Sequence, residues 1–138
     1  GGGGAAVPAR GAAVSAAASS LALVPKPKLR PEEFEPRWNA LKTLEVWGAT
    51  LRAPLANKQL ESTLAGAHVR CMASGVIDVV HKFYFHAESG SSGAVFLAEV
   101  SVTPASNRVS AVIKASSESQ GAAFVRLFKH QLSGLVLE

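Results

Sequence analysis

The sequence predicts an α+β domain in which an antiparallel sheet of about five strands is flanked by helices. Three observations carry this. First, strand-like runs at 68–74, 77–87, 94–103 and 108–116 follow one another with only Ser74-Gly75, "ESGSSG" and "PASN" as separators. Such turn-forming connections are too short for crossovers, so the four strands should pair as an antiparallel meander. Second, residues 119–135, "SQGAAFVRLFKHQLSGL", place Phe124, Leu127, Phe128, Gln131, Leu132 and Leu135 in a stripe at helical spacing, with Arg126, Lys129 and His130 off it. Third, 138 residues with 48% hydrophobic and 17% charged side chains suffice for one domain with a core of its own, and two would be crowded.

The elements follow in order. Residues 1–30 hold five Gly, nine Ala, three Pro and three Ser and no aromatic residue. So little apolar bulk cannot offset ordering entropy, and the stretch is expected to be a flexible hinge that stiffens at Pro25 and Pro27. The folded domain is then expected over 31–138. Pro31 followed by Glu32 and Glu33 opens a helix with Phe34, Trp38 and Leu41 on one face, restarted or kinked at Pro36. "LEVWGATL", 44–51, alternates as a strand, and Pro54 closes it. "ANKQLESTLAGA", 56–67, reads as a second helix, with Leu60 and Leu64 one turn apart and Gly66 at its end.

The charge excludes one function class. The net +4 comes from Arg10, Lys26, Lys28 and Arg30, whereas residues 31–138 carry ten basic and ten acidic side chains. A neutral body has no broad electrostatic footprint for phosphates, so nucleic acid is not expected as a partner. The Ala-rich stretch 12–24 is too short and weakly apolar to span a bilayer. Cys71 stands alone, which rules out an internal disulfide or a C-x-x-C motif and fits a reducing, cytosolic setting.

Convergent catalytic groups are also missing from the pattern. His81 and His86 are five apart on one predicted strand and point to opposite faces, and Asp78 stands at an odd separation from His81. His68 and His130 have no acidic or thiol neighbour at ligand spacing. No catalytic residue, cofactor or metal is therefore expected, and Gly90-Ser-Ser-Gly93 reads as a hairpin loop rather than a phosphate clamp. What remains is a binding module. The strand "VVHKFYFHA" carries Val79, His81, Phe83 and Phe85 on one side and Val80, Lys82, Tyr84 and His86 on the other, so neither side is simply polar. Two arrangements fit: helices on one face with a partner docked on the other, or both faces covered by the domain itself. The strand "FLAEVSVTP", 96–104, poses the same choice through Glu99, a carboxylate that breaks an apolar run.

From Pro31 to Leu135 the chain resembles the C-terminal platform subdomain of beta-adaptin appendages, the ears of adaptor complexes in vesicle coats. The likeness lies in the order of elements, the "FEPRW" start, the "FLAEVSVTP" and "RVSAVIKASS" strands and the final amphipathic helix. It implies a TBP-like platform fold, no enzymatic activity and no cofactor. In the clathrin-linked complexes a β-sandwich subdomain precedes the platform. Here a Gly/Ala-rich linker stands in its place, and in this the chain is most similar to the beta subunits of the fourth adaptor complex.

That resemblance implies a cytoplasmic, peripheral place on vesicle coats at the trans-Golgi network, without clathrin. It further implies recruitment of a tepsin-like accessory protein through a short hydrophobic peptide motif. Other adaptor subunits would be met through the part of the chain that precedes this one, with membrane association indirect. In the family, peptides dock around a Trp of the first helix, an aromatic of a central strand and a Glu of the next. These positions fall on Trp38, on Phe83 or Phe85, and on Glu99. An Arg that reads acidic peptides in relatives falls near Ser74 or Val76, so a more hydrophobic peptide suits this chain. The alternative is a structural or oligomerisation module whose sheet face pairs permanently with another subunit.

Overall fold

The computed structural model describes residues 21–56 and 58–137, so the first twenty residues of the expected hinge lie outside the described residues. Helix α1 spans Pro31–Ala40, β1 Lys42–Leu51, α2 Gln59–Ala65, β2 Arg70–Ile77 and β3 Val80–Glu88. Then follow β4 Val95–Thr103, β5 Arg108–Ala115, α3 Glu118–Leu132 and β6 Val136–Leu137. The predicted meander is β2 to β5, paired in sequence order. β1 joins β5 from the far side and the two-residue β6 extends β1, so the antiparallel sheet reads β2-β3-β4-β5-β1-β6. The α+β class is as predicted, with one short strand more.

Alternation along the strands gives the sheet two unlike faces. The inner face presents Phe85, Phe96, Ala98, Val100, Ile113 and Ala111, and α3 closes it with Phe124, Phe128 and Leu132. Phe96 and Phe124 stack with centroids 4.7 Å apart and planes 8° apart. Helix α2 adds Leu60 and Leu64 to the same core, and Gln131 Nε2 donates to the Thr63 carbonyl at 2.8 Å to tie α2 to α3. A bulge at Leu44 turns β1 so that this side chain reaches Gly121 of α3, where a larger residue would collide with it. On the same side Lys129 Nζ bonds Glu45 Oε2 at 2.7 Å. α1 lies alone on the outer face, against Tyr84 and Lys114.

Two expectations change. The ordered body does not begin at residue 31. Leu21 is buried in the core, Val24 N donates to the Glu88 carbonyl at 2.9 Å, and Gly90 N donates to the Ala22 carbonyl at 2.7 Å. Leu21, Leu23 and Val24 supply apolar bulk that the preceding residues lack. The first hairpin also turns later than Ser74-Gly75. β2 continues through both residues to Ile77, and the turn falls on Asp78, whose φ of 58° is left-handed backbone that Asp tolerates.

Because Phe124 is wholly buried between Phe96 and Phe128, Phe124→Ala should lower the unfolding free energy by about 3–5 kcal/mol. Urea denaturation followed by circular dichroism should show an earlier midpoint with an unchanged slope.

Candidate functional site

α1 is built locally and docked lightly. Arg30 N donates to Glu33 Oε1 at 2.8 Å and Glu33 N to the Arg30 carbonyl at 2.9 Å, closing the first turn around Pro31. The backbone hydrogen bond from Arg30 holds the Glu33 carboxyl below the usual carboxylate range. Pro36 sits inside the helix and withholds one backbone donor. No α1 side chain is buried. Two contacts pin it. The Phe34 ring meets Tyr84 edge-on at 5.3 Å and 68°. Lys114 Nζ donates to the Trp38 carbonyl at 3.0 Å while lying 4.5 Å from the Trp38 ring centroid. A cation at the last-turn carbonyls is where the helix dipole favours one.

Between α1 and the β2–β4 side of the outer face runs a groove of about 370 Å³, lined by Phe34, Trp38, Met72, Ala73, Tyr84 and Glu99, with Pro31, Glu35 and Asn39 along the helix. Phe34 and Trp38 stack at 5.7 Å and 16°. Tyr84 lies directly across the ladder from Glu99, and Lys82 Nζ stands 3.8 Å from Glu99 Oε1. Burial first, and then the Glu99 carboxylate, raise the pKa of the Tyr84 hydroxyl. The arrangement is an aromatic trough with one carboxylate, able to accept hydrogen bonds from a ligand whose side chains fill the apolar part.

Of the residues singled out in the sequence, Trp38 and Glu99 meet in this groove. Phe83 and Phe85 do not, and the expectation that either shares a surface with them is corrected. Tyr84 pairs with Glu99, so its neighbours at odd separation face inward. Phe85 is wholly buried in the core. Phe83 stacks on it at 6.3 Å and is half-buried, lining a separate cavity of about 380 Å³ on the inner face. The ring beside Glu99 is Tyr84, and Phe34 and Met72 complete the site. Sequence reasoning missed all three in this role.

His81 is exposed and His86 wholly buried, on opposite faces of β3 as the spacing required. Neither ring nitrogen of His86 has a hydrogen-bond partner among the described residues, and Nε2 is 3.8 Å from Glu88 Oε2. Burial above all, then the Arg37 and Arg70 cations, lower its pKa from 6.5 to about 4, with Glu33 opposing. Among the described residues no group of three or more His, Cys, Asp or Glu side chains could hold a metal ion, and no helix is long and apolar enough to cross a membrane.

Comparison with known proteins adds two findings. The family model described as beta2-adaptin appendage, C-terminal sub-domain, matches residues 24–132. The chain is also similar to the AP-4 complex subunit beta of Dictyostelium discoideum, 30% identical over 67 residues, which is 49% of this chain. It spans 8% of that relative's length.

Because the folded pKa of His86 lies below its unfolded value, the unfolded state binds the extra proton as pH falls. The stability that neutral His86 confers is complete above about pH 6.5 and is lost toward pH 4, amounting to about 3 kcal/mol. Urea titrations at pH 7.5, 5.5 and 4.5 should show a steeper acid loss in the wild type than in His86→Leu. Parallel slopes would place the acid sensitivity elsewhere.

Proposed function

The chain belongs to the beta2-adaptin appendage C-terminal sub-domain family, and on that premise we propose that it is the protein-binding appendage of a vesicle-coat adaptor subunit. In this reading it recruits an accessory protein, tepsin-like in kind, by a short hydrophobic peptide motif lying between α1 and the sheet. The resemblance to AP-4 subunit beta supports a place in vesicle-mediated transport. It also supports a cytoplasmic, peripheral position on coats at the trans-Golgi network, with the other adaptor subunits contacted through further parts of the chain.

One observation carries the proposal. Three rings, Phe34, Trp38 and Tyr84, stay open to a groove beside Glu99, while every comparable phenylalanine of α3 is buried. A domain that needed those rings only for stability would cover them. The body is neutral overall and the charges that line the groove itself, Glu35 and Glu99, are acidic, so an apolar peptide with few charges fits better than an acidic one. Micromolar affinity is sufficient, since several appendages on one coat meet several motifs and avidity supplies the rest.

A second reading keeps support from one feature. Val46 is 71% exposed on the outer face, opposite the half-buried Val112, which would suit permanent contact with another subunit. A monomer in light scattering excludes it.

Calorimetry with motif peptides of proteins retained by the wild type should show Trp38→Ala weakening binding roughly thirty-fold, about 2 kcal/mol. Glu99→Gln, at the rim, should cost less. Equal affinities for wild type, Trp38→Ala and Tyr84→Ala would remove the groove from the function.

A further inference from the structure

β2 is an outer strand of the sheet. Apart from its ladder to β3, no backbone hydrogen bond among the described residues reaches Arg70–Ile77. An outer strand leaves alternate N–H and C=O groups unpaired, and proteins commonly blunt such edges with charge, proline or a bulge. The opposite end of the sheet follows that rule: β1 beyond the reach of β6 carries Lys42 and Glu45 and a bulge at Leu44. β2 has only one such device, an early bulge at Met72: from Cys71 to Ile77 it has no charge and no proline, and every residue of Ala73–Ile77 is exposed. Val76 and Ile77 are 62% and 57% exposed.

The cavities border this edge from both faces. The outer groove reaches Met72 and Ala73, beside Trp38 and Tyr84. The inner cavity, about 380 Å³, reaches Ser74, Gly75 and Val76, beside Phe83 and Leu55. A strand laid along β2 would send successive side chains alternately to the two faces, about 7 Å apart on each. One set would enter the aromatic groove and the other the cavity at Phe83. A Cβ built on Gly75 meets nothing within 4 Å, so the outer face beside this edge is open at Gly75.

We infer that Ala73–Ile77 receives a partner's extended, uncharged peptide as a seventh strand, its alternate apolar side chains shared between the Trp38 groove and the Phe83 cavity. This rests on the reading of the chain as a peptide-binding appendage and specifies the ligand's conformation and pattern. Backbone hydrogen bonds to β2 give affinity without regard to sequence, and the two cavities select apolar residues at every second position on each side. The absence of charge on the edge makes a neutral segment its complement.

The test uses the 138-residue chain and 12-residue peptides selected against it from an uncharged displayed library. Three results are expected. Bound peptide slows amide exchange at alternate residues of Ala73–Ile77. N-methylation of the peptide weakens binding about tenfold or more at every second position. Val76→Lys, a change at an exposed site, weakens binding about tenfold or more while leaving the melting temperature in place. Binding that is lost in Trp38→Ala yet indifferent to N-methylation, with no protection on β2, overturns strand addition and leaves the groove reading standing. Failure to select any peptide overturns both. Protection of β2 that grows with protein concentration in the absence of peptide assigns the edge to a second copy of the chain and overturns the proposal.

Discussion

Phe96 lies flat against Phe124, 4.7 Å between centroids, and most of the molecule's geometry follows from that contact. It commits the even-numbered positions of β4 to the inner face, so Ala98, Val100 and Val102 go to the core and Glu99 must face out. The ladder then propagates the decision. Across β4 stands Tyr84, not Phe83 or Phe85, and on the far side Val112 and Lys114 fall on the outer face with Glu99. One stacked pair thus decides which rings make the core and which make the groove.

The architecture was largely legible because it rests on local periodicity. Four strands with short connections force a meander, and Phe124, Phe128 and Leu132 mark α3 without help from the rest of the chain. Trp38 and Glu99 were singled out through resemblance to a family, and the fold brings both to one groove. The third position was harder, because assigning a residue of β3 to the face of Glu99 requires cross-strand register. Two candidates that share a parity cannot settle a question of parity. A signal was nonetheless present in the side chains. β4 is oily on one side and carries Glu99 on the other, whereas β3 offers Phe83 and Phe85 on one side and Lys82, Tyr84 and His86 on the other. Matching oily side to oily side puts Tyr84 with Glu99. The start of the ordered body was missed for a different reason, since Leu21, Leu23 and Val24 are too few to register against the Ala/Gly background, yet each finds a place on the fold.

α1 is where sequence and packing are in tension. Ten residues with an internal proline make a helix that would not persist alone in water, and no side chain of it is buried. What remains are the Phe34–Tyr84 contact, the Lys114 hydrogen bond and its cation–π partner, each worth about 0.5–1.5 kcal/mol. His86, wholly buried on the same face of β3 as Tyr84, adds two ring nitrogens without a hydrogen-bond partner among the described residues. The helix is therefore stable only as part of the outer face, and the groove exists only while it stays docked.

Lys114 connects the core to the groove. It sits on β5 between Ile113 and Ala115, both buried against the α3 side, so the core holds its backbone in place. Its side chain crosses to the outer face and meets both the carbonyl and the ring of Trp38. The orientation of the groove's largest ring is thus set from below by a strand that α3 immobilises. A ligand lying in the groove would meet a wall already positioned, with little binding energy going into ordering it. The same dependence means that loosening the core of α3 would disturb the groove without touching any residue that lines it.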